Sequence, residues 1–236
     1  MNTATKLGAI LVRRPYRTAF LRFGCAAAVE HTAVLKSMHY RTVVDIGANR
    51  GQFALAARHC LPGANIISFE PLAEAARRYR SLLGGDPGVT LHKAAVGADS
   101  REEVMHVSKM DHSSSLLPIG PRQLAVFPGT AEVGTEIVKV VPLATYVSSD
   151  DLESPALLKL DVQGYEIEAL KGCEDLLDRF ASVLVEGSFM ELYEGQPLAD
   201  ELIEWLRARG LRLAGVHDAA YDRAGLTIQA DFLFTP

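Results

Sequence analysis

Residues 42–53 read TVVDIGANRGQF, and this stretch decides the fold. Val43, Val44 and Ile46 form a short apolar, β-branched run that is typical of a strand buried inside a parallel sheet. Two glycines follow, where the backbone must turn sharply and a ligand can approach without meeting a Cβ atom. From Phe53 onward, apolar and small residues recur at i, i+3, i+4 and i+7, which is one face of a helix. The stretch therefore predicts a strand, a tight turn and a helix, an arrangement that holds a nucleotide-type cofactor at the carboxyl end of a sheet.

The spacing of the two glycines indicates which cofactor is bound. They are four residues apart, whereas the dinucleotide fingerprint is G-x-G-x-x-G, with a pyrophosphate held at the helix N-terminus. This spacing and the acidic residue before it favour a cofactor that carries a ribose and an amino acid but no phosphate, namely S-adenosylmethionine. The alternative is a turn that needs glycine only for packing. The candidate cofactor-binding residues of the turn are Asp45, Gly47, Ala48, Asn49, Gly51 and Phe53.

A second strand is predicted over residues 65–69, and Glu70 and Pro71 follow it directly. Glu70 lies nineteen residues beyond Gly51, the separation expected between the first turn and the end of the second strand in a βαβ unit. A carboxylate there can accept hydrogen bonds from both ribose hydroxyls. The alternative is a carboxylate that stabilises the N-terminus of the next helix through the helix dipole. We predict that Glu70 and Pro71 bind the cofactor.

The third strand is predicted over residues 89–97, and the irregular section after it contains a candidate base. Ala95 and Val96 are small enough to leave room for an adenine ring, although ordinary strand packing explains them equally well. Residues 99–147 include a polar loop rich in glycine and proline, and loops of this length often hold an acceptor substrate. His112 lies in this loop and is a candidate general base near neutral pH. A lone surface histidine is the alternative.

Two further apolar strands end on acids. Residues 156–160 precede Asp161, and residues 182–185 precede Glu186. In a doubly wound sheet the first of these strands lies beside the strand of residues 42–46, so Asp161 would face the reactive end of the cofactor. Asp161 is the first candidate for a catalytic base, with Glu186 as another, and Asp161 could instead bind the amino group of the cofactor. The two carboxylates could also hold Mg²⁺, but strand-end carboxylates need no ion to be explained, so a metal is not favoured.

The rest of the chain predicts helices and a closing hairpin. Residues 167–180 place apolar side chains along one face of a helix, and residues 198–206 repeat that pattern. Residues 211–216 and 227–234 resemble strands joined by a turn short enough to make them antiparallel. Strand–helix alternation followed by a terminal hairpin predicts an α/β fold with a seven-stranded, mostly parallel sheet.

The composition excludes several classes of protein. Of 236 residues, 48% are hydrophobic and 22% are charged, which is typical of a globular domain with a substantial core. A formal net charge of −5 and a pI near 5.8 argue against a nucleic-acid binder. The three cysteines are widely spaced and odd in number, which indicates small core residues in a reducing compartment. We therefore expect a cytoplasmic protein.

Residues 1–40 differ from the domain predicted over residues 41–236, whose acceptor-side insertion covers about 99–147. The apolar run over residues 7–12 is too short for a secretory signal, and no stretch approaches the ~20 apolar residues of a membrane span. Apolar residues mixed with arginines suggest amphipathic helices that act as a lid or packing element. The alternative is peripheral contact with the inner membrane face or with a glycolipid acceptor. A homodimer is the default expectation.

The chain resembles the FkbM-type S-adenosylmethionine-dependent methyltransferases in four segments that occur in the family's order. The matching segments are residues 44–53, residues 69–71, residues 157–166 with 170–172, and residues 231–234. One departure is Val147, where the family often has an aspartate after a Thr-Leu-like pair. The first forty residues lie outside the resemblance.

The resemblance implies a Rossmann-like class I methyltransferase fold with strand order 3-2-1-4-5-7-6 and helices on both faces of the sheet. It also implies O-methylation of a hydroxyl on a sugar, glycolipid or polysaccharide, in cell-envelope or secondary-metabolite biosynthesis. The alternatives are methylation of a polyketide or macrolide hydroxyl, and a non-catalytic protein of the same fold that binds the cofactor or a partner.

Overall fold

Residues 42–46 form a fully buried strand at the centre of the protein, as the sequence predicts. The structure is a computed structural model that describes residues 3–236. Its strands are β1 Thr42–Ile46, β2 Asn65–Phe69, β3 Val89–His92, β4 Ala95–Val96, β5 Arg101–Ser108, β6 Glu132–Val141, β7 Ala156–Leu160, β8 Phe180–Ser188, β9 Arg212–Tyr221 and β10 Thr227–Thr235. Its α-helices are α1 Thr3–Val12, α2 Arg14–Phe23, α3 Thr32–Ser37, α4 Gln52–Cys60, α5 Ala73–Leu83, α6 Pro121–Val126, α7 Glu166–Lys171 and α8 Ala199–Arg207.

Seven strands form the main sheet, in the order β3-β2-β1-β7-β8-β10-β9. When only these seven strands are numbered along the chain, the order is 3-2-1-4-5-7-6, as predicted. β1 pairs in parallel with β2 and β7, whereas β10 runs antiparallel to β8 and β9. The chain order reverses between β1 and β7, so a crevice opens at their carboxyl ends, the usual ligand position in such sheets.

Helices cover both faces of the main sheet. Val44 and Ile46 of β1 belong to one hydrophobic cluster, which includes residues of α7 and α8. Val43, which precedes Val44 and points the opposite way, belongs to a second cluster with residues of α4 and α5. A strand that is buried on both faces is mostly apolar, which is why Val43, Val44 and Ile46 dominate β1 and buried Asp45 needs a partner.

The predicted third strand is wrong in extent, because it consists of two strands in different sheets. β3 pairs with β2 in the main sheet, whereas β4 pairs with β6 in a second sheet of order β4-β6-β5. The chain leaves the first ladder after His92 and enters the second at Ala95. β5 and β6 form an antiparallel pair within residues 101–141, inside the section that reads as irregular in the sequence.

The helix predicted over residues 167–180 is also wrong in extent. α7 ends at Lys171, a 3-10 helix covers Glu174–Arg179, and Phe180 begins β8. A Cβ atom at Gly172 would lie 2.3 Å from the carbonyl oxygen of Gly97, so the chain passes close to the segment after β4 at this point. The apolar periodicity therefore comes from two short helical pieces and the start of a strand.

The N-terminal segment packs onto the main body through α1 and α2. Ile10, Tyr16 and Ala19 share a buried cluster with Leu55 of α4. None of the helices in residues 3–236 combines the length and the apolarity that crossing a bilayer requires.

Candidate cofactor and acceptor site

A cavity of about 400 Å³ lies at the carboxyl ends of β1, β2 and β7. Most of the predicted site residues line it: Gly47, Ala48, Asn49, Phe53, Glu70, Pro71, Ala95, Val96, His112 and Asp161. The other three, Asp45, Gly51 and Glu186, do not line the cavity and lie behind its wall. The cavity is therefore the place where the sequence-predicted residues meet.

Gly47 is the residue of the turn that glycine alone can occupy. Its φ is +78°, and a Cβ atom there would lie 1.9 Å from the carbonyl oxygen of Asp161. Gly51 also has a positive φ, of +91°, and packs against the ring of Tyr79, where a Cβ atom would lie 3.1 Å away. Gly47 thus brings the turn after β1 against the loop after β7, and Gly51 seats the start of α4 on α5.

Glu70 is buried in the cavity wall and held by two backbone groups. Its Oε2 accepts a hydrogen bond of 2.8 Å from the amide of Asn49, and its Oε1 accepts one of 2.8 Å from the amide of Leu72. Burial raises the pKa of Glu70 to about 7, although both amides oppose the shift. Each carboxylate oxygen retains acceptor capacity, so the group can bind hydroxyl donors that enter the cavity.

Lys159 links the glycine turn to the two neighbouring acids. Its Nζ lies 3.0 Å from Oδ1 of Asp45 and 3.8 Å from Oδ2 of Asp161, and it donates to the carbonyl of Gly47 at 3.3 Å. Burial alone would lower the pKa of Lys159, but Asp45 and Asp161 raise it above its usual value. Lys159 is therefore charged. It lines the cavity, whereas Asp45 does not.

Asp161 and Glu186 are bridged by an amide. Nε2 of Gln163 donates to Oδ1 of Asp161 at 2.7 Å and to Oε2 of Glu186 at 3.0 Å. The amide oxygen of Gln163 accepts a hydrogen bond of 2.7 Å from the hydroxyl of Tyr193, which fixes the direction of the amide. Burial and the nearby carboxylates raise the pKa of Glu186 well above its usual value.

The position considered for Mg²⁺ between Asp161 and Glu186 is thus taken by the Gln163 amide. Within residues 3–236, no group of three or more His, Cys, Asp and Glu side chains is arranged to hold a metal ion.

The loop after β7 is fixed by Glu166. Gln163 and Gly164 both have positive φ angles, of 56° and 94°. Oε1 of Glu166 accepts hydrogen bonds from the amides of Val162, at 3.1 Å, and of Gly164, at 3.2 Å. Burial raises the pKa of Glu166 to about 7. The carboxylate therefore stabilises an unusual loop conformation that carries Asp161 and Gln163 to the cavity.

The polar loop of residues 111–115 forms part of the cavity wall across from the glycine turn. Nε of Arg50 lies 2.5 Å from Oδ2 of Asp111, so the glycine turn and this loop are joined across the cavity by an ion pair. His112 lines the cavity next to that pair, and it is exposed. The sequence predicted the position of this loop at the site but not the pairing of Arg50 with Asp111.

The N-terminal segment completes the cavity wall. Lys6, Gly24, Ala26, Ala28, Glu30 and His31 all line it. Lys6 and Glu30 form an ion pair of 2.7 Å, and Nδ1 of His31 lies 3.5 Å from Oδ2 of Asp231. The role of His31 could not be predicted, because nothing near residue 31 forms a motif, and Asp231 stands out in the sequence only as part of a segment that resembles the family.

Two curated proteins are similar in sequence to this chain. The 2-O-methyltransferase NoeI of Sinorhizobium fredii is 28% identical over 160 residues, which is 65% of this chain and 66% of NoeI. The hexuronic acid methyltransferase AglP of Haloferax volcanii is 30% identical over 145 residues, which is 60% of this chain and 54% of AglP. The similarity thus spans about two thirds of one relative and about half of the other.

Solved structures with a related arrangement include TehB from Haemophilus influenzae, with a TM-score of 0.48 and 9% identity over 92% of this chain and 65% of TehB. Fibrillarin from Aeropyrum pernix has a TM-score of 0.46 and 13% identity over 86% of this chain and 73% of fibrillarin. The sequence profile of the methyltransferase FkbM domain matches residues 45–213. That range includes the glycine turn, Glu70 and Asp161, and it covers more than half of the chain. This chain belongs to the FkbM methyltransferase family.

Proposed function

We propose that this protein is an S-adenosylmethionine-dependent O-methyltransferase that acts on a hydroxyl of a sugar, glycolipid or polysaccharide. The observation that carries the proposal is the meeting of Glu70, the Gly47 turn and Asp161 around one cavity of about 400 Å³. Family membership supports the reaction. The names of the two relatives, one a 2-O-methyltransferase and one a hexuronic acid methyltransferase, support a carbohydrate acceptor.

The residues of the cavity fit the parts of the cofactor. Glu70 is a buried acceptor without a cationic partner in its hydrogen bonds, which suits two ribose hydroxyl donors. Ala95 and Val96, with Phe69, supply the small and apolar wall that an adenine ring requires. Asp161 lies beside the Gly47 turn and its side chain is 41% exposed, so its carboxylate is available to an amino group.

The chain's own contribution to methyl transfer is alignment and proton removal. Bound S-adenosylmethionine would supply an electrophilic methyl group on a positively charged sulfur. Because the reaction is an in-line displacement, the walls of the cavity must hold the acceptor oxygen opposite that sulfur. A sugar hydroxyl is barely ionised near neutral pH, so a positioned base must take its proton. Three bases are predicted from the sequence. Glu186 accepts hydrogen bonds from two side-chain amides behind the cavity wall, and His112 is exposed at the edge of the cavity. Asp161 accepts a hydrogen bond from Gln163 and lies near the charged Lys159.

The test is methyl transfer from a radiolabelled donor to a panel of hexuronic acids, amino-sugar oligosaccharides and macrolides. We expect label in a carbohydrate product and its loss in the Glu70→Ala variant. Transfer to a macrolide alone would replace the carbohydrate acceptor with a polyketide hydroxyl. Tight binding of S-adenosylhomocysteine without transfer to any acceptor class would favour a non-catalytic protein of this fold.

We further propose that the α1–α2 pair touches an anionic membrane surface, where a lipid-linked acceptor would lie. Residues 1–29 contain five basic residues and no acidic one, although the whole chain has a formal net charge of −5. Val12 is 83% exposed and Leu21 is 72% exposed, and the exposed Arg14 and Arg17 precede Leu21 by seven and four residues, the spacing of one face of α2. Exposed apolar residues among arginines fit an interface of acyl chains and anionic headgroups.

Sedimentation with phosphatidylcholine vesicles, with and without phosphatidylglycerol, tests this contact. We expect binding only to the anionic vesicles, and salt should weaken it. In Arg14→Gln/Arg17→Gln the free energy of vesicle binding should become less favourable by about 2 kcal/mol. Val12→Ser/Leu21→Ser should also weaken it, whereas Val133→Ser, at an exposed apolar site on β6, should not. Equal sedimentation of all variants would contradict the contact. Dimer dissociation by Val12→Ser/Leu21→Ser would show instead that a second copy covers this face.

A further inference from the structure

His31 and Asp231 form a pair at the cavity although they are two hundred residues apart in the sequence. Nδ1 of His31 is buried without a hydrogen-bond partner and lies 3.5 Å from Oδ2 of Asp231, and the two side chains are only 13% and 15% exposed. His31 also lines the cavity. Both residues lie outside the range of 45–213 that matches the family profile. The segments that flank the family match therefore meet at the cavity to form this pair.

The imidazole ring of His31 is held in place by its surroundings. It packs edge-to-face against Phe53, with ring centroids 5.2 Å apart, and Phe53 itself lines the cavity. The backbone at His31 is fixed by a 3-10 helix over Val29–His31, whose amide at His31 donates to the carbonyl of Ala28. A ring fixed in this way can present one nitrogen to Asp231 and the other to its opposite side.

Asp231 is fixed as firmly as the ring. It lies on β10 between β8 and β9, where its register partners are Glu186 and His217. Burial and the negative charge of Asp161 raise the pKa of Asp231 to about 7. A carboxylate that is held on a strand and that readily shares a proton is suited to orienting an imidazole.

We propose that His31 is the general base of the methyl transfer and that Asp231 is its positioning residue. The inference rests on the proposed methyltransferase function. Nδ1 carries a proton directed at Asp231, and the lone pair of Nε2 accepts the proton of the acceptor hydroxyl. The acceptor oxygen forms a bond to the methyl carbon as the carbon–sulfur bond breaks, the electron pair of that bond stays on sulfur, and the hydroxyl proton passes to the imidazole.

The charges around His31 agree with this role. Burial lowers the pKa of His31 below its usual value, so the ring is neutral and able to accept a proton near neutral pH. Acidic groups that face it favour the charged imidazolium formed after proton transfer, and Lys159 opposes it. These acidic groups are Glu30, Asp161, Asp218 and Asp231.

Nitrogen NMR of histidine-labelled protein, bound to S-adenosylhomocysteine at about pH 7, tests the arrangement without an acceptor. We expect His31 as a neutral ring protonated at Nδ1, and a loss of that tautomer preference in Asp231→Asn. A ring protonated at Nε2, or a charged imidazolium, would overturn the proposal. Since calorimetry with S-adenosylhomocysteine reports cofactor binding separately, a wild type that fails to bind would count against the proposed function instead.

Kinetics with any acceptor found in the label screen provide the second readout. In His31→Gln we expect kcat to fall by about 10²–10⁴, with little change in KM or in S-adenosylhomocysteine affinity. The acid limb of the pH profile of kcat should disappear in the same variant. The matched control is His106→Gln, since Nδ1 of His106 lies 2.8 Å from Glu132 in another histidine–carboxylate pair outside the cavity. Equal kcat values in His31→Gln and wild type would refute the assignment.

Discussion

The ammonium nitrogen of Lys159 lies 3.0 Å from Oδ1 of Asp45, and the two residues are register partners on the adjacent strands β7 and β1. Both side chains are buried. Neither oxygen of Asp45 has a well-directed hydrogen bond, so the carboxylate depends on the charge of the lysine. Because Lys159 also donates to the carbonyl of Gly47, this pair supports the cofactor turn from inside the sheet.

Lys159→Met should strongly destabilise the protein, because it leaves the Asp45 carboxylate buried without a counter-charge. We expect the free energy of unfolding to fall by about 3–5 kcal/mol, measured by urea denaturation. The double variant Asp45→Asn/Lys159→Met should lose less. Lys171→Met is the control, because it breaks only an exposed ion pair with Glu168, and it should cost less than about 0.5 kcal/mol. Equal losses in Lys159→Met and the control would contradict the buried pair.

Gly47→Ala should abolish binding of S-adenosylhomocysteine, because its Cβ atom would collide with the carbonyl of Asp161 at 1.9 Å. The turn after β1 and the loop after β7 would have to separate, and residues of both segments line the cavity. Calorimetric titration measures the effect. Gly63→Ala, at a position with nothing within 4 Å of the added methyl, should bind like wild type. Normal binding by Gly47→Ala would show that the loops can move apart freely.

Stability should depend on the ionisation of Glu70. Its pKa is raised from 4.5 to about 7, so the folded chain keeps this proton over a pH range in which the unfolded chain has released it. The contribution to the free energy of unfolding is therefore present at low pH and is lost as the pH rises through about 7. In Glu70→Gln the decrease of the free energy of unfolding with rising pH should become smaller but not vanish, because the pKa values of Glu166 and Asp231 are also raised to about 7. An unchanged decrease, measured by urea unfolding, would argue against a buried Glu70.

Asp111→Asn should loosen the cavity wall by weakening the 2.5 Å ion pair with Arg50. We expect faster hydrogen exchange over residues 111–116 and weaker S-adenosylhomocysteine binding, because the glycine turn and the polar loop lose their connection. Glu74→Gln is the control, since it breaks exposed ion pairs with Arg77 and Arg78 away from the cavity. The expectation fails if exchange in residues 111–116 is the same in both variants.

Local sequence patterns predicted the part of the site that comes from single strand–turn–helix units. The turn after β1 is recognisable because a buried strand, a sharp turn and a helix must follow one another within residues 42–60. Glu70 and Asp161 follow the ends of parallel strands, and the topology of the sheet brings such ends together.

Contacts between distant segments could not be predicted in the same way. The pairing of Lys159 with Asp45 requires the register of β7 against β1, although a lysine inside the apolar run of residues 156–160 is a signal that it needs a buried partner. The pairing of His31 with Asp231 depends on how the N-terminal segment packs against β10. The break between β3 and β4 also depends on tertiary pairing, because both pieces are apolar enough for one strand.

Calorimetric titration with S-adenosylhomocysteine, on wild type and on Glu70→Ala, tests the central claim most directly. The wild type should bind with a micromolar dissociation constant, and Glu70→Ala should not bind measurably while keeping its fold. Glu74→Ala, which removes an exposed carboxylate from α5, is the matched control and should bind like wild type. Absence of binding by the folded wild type would contradict the claim, because the glycine turn would then serve only to pack β1 against the loop after β7.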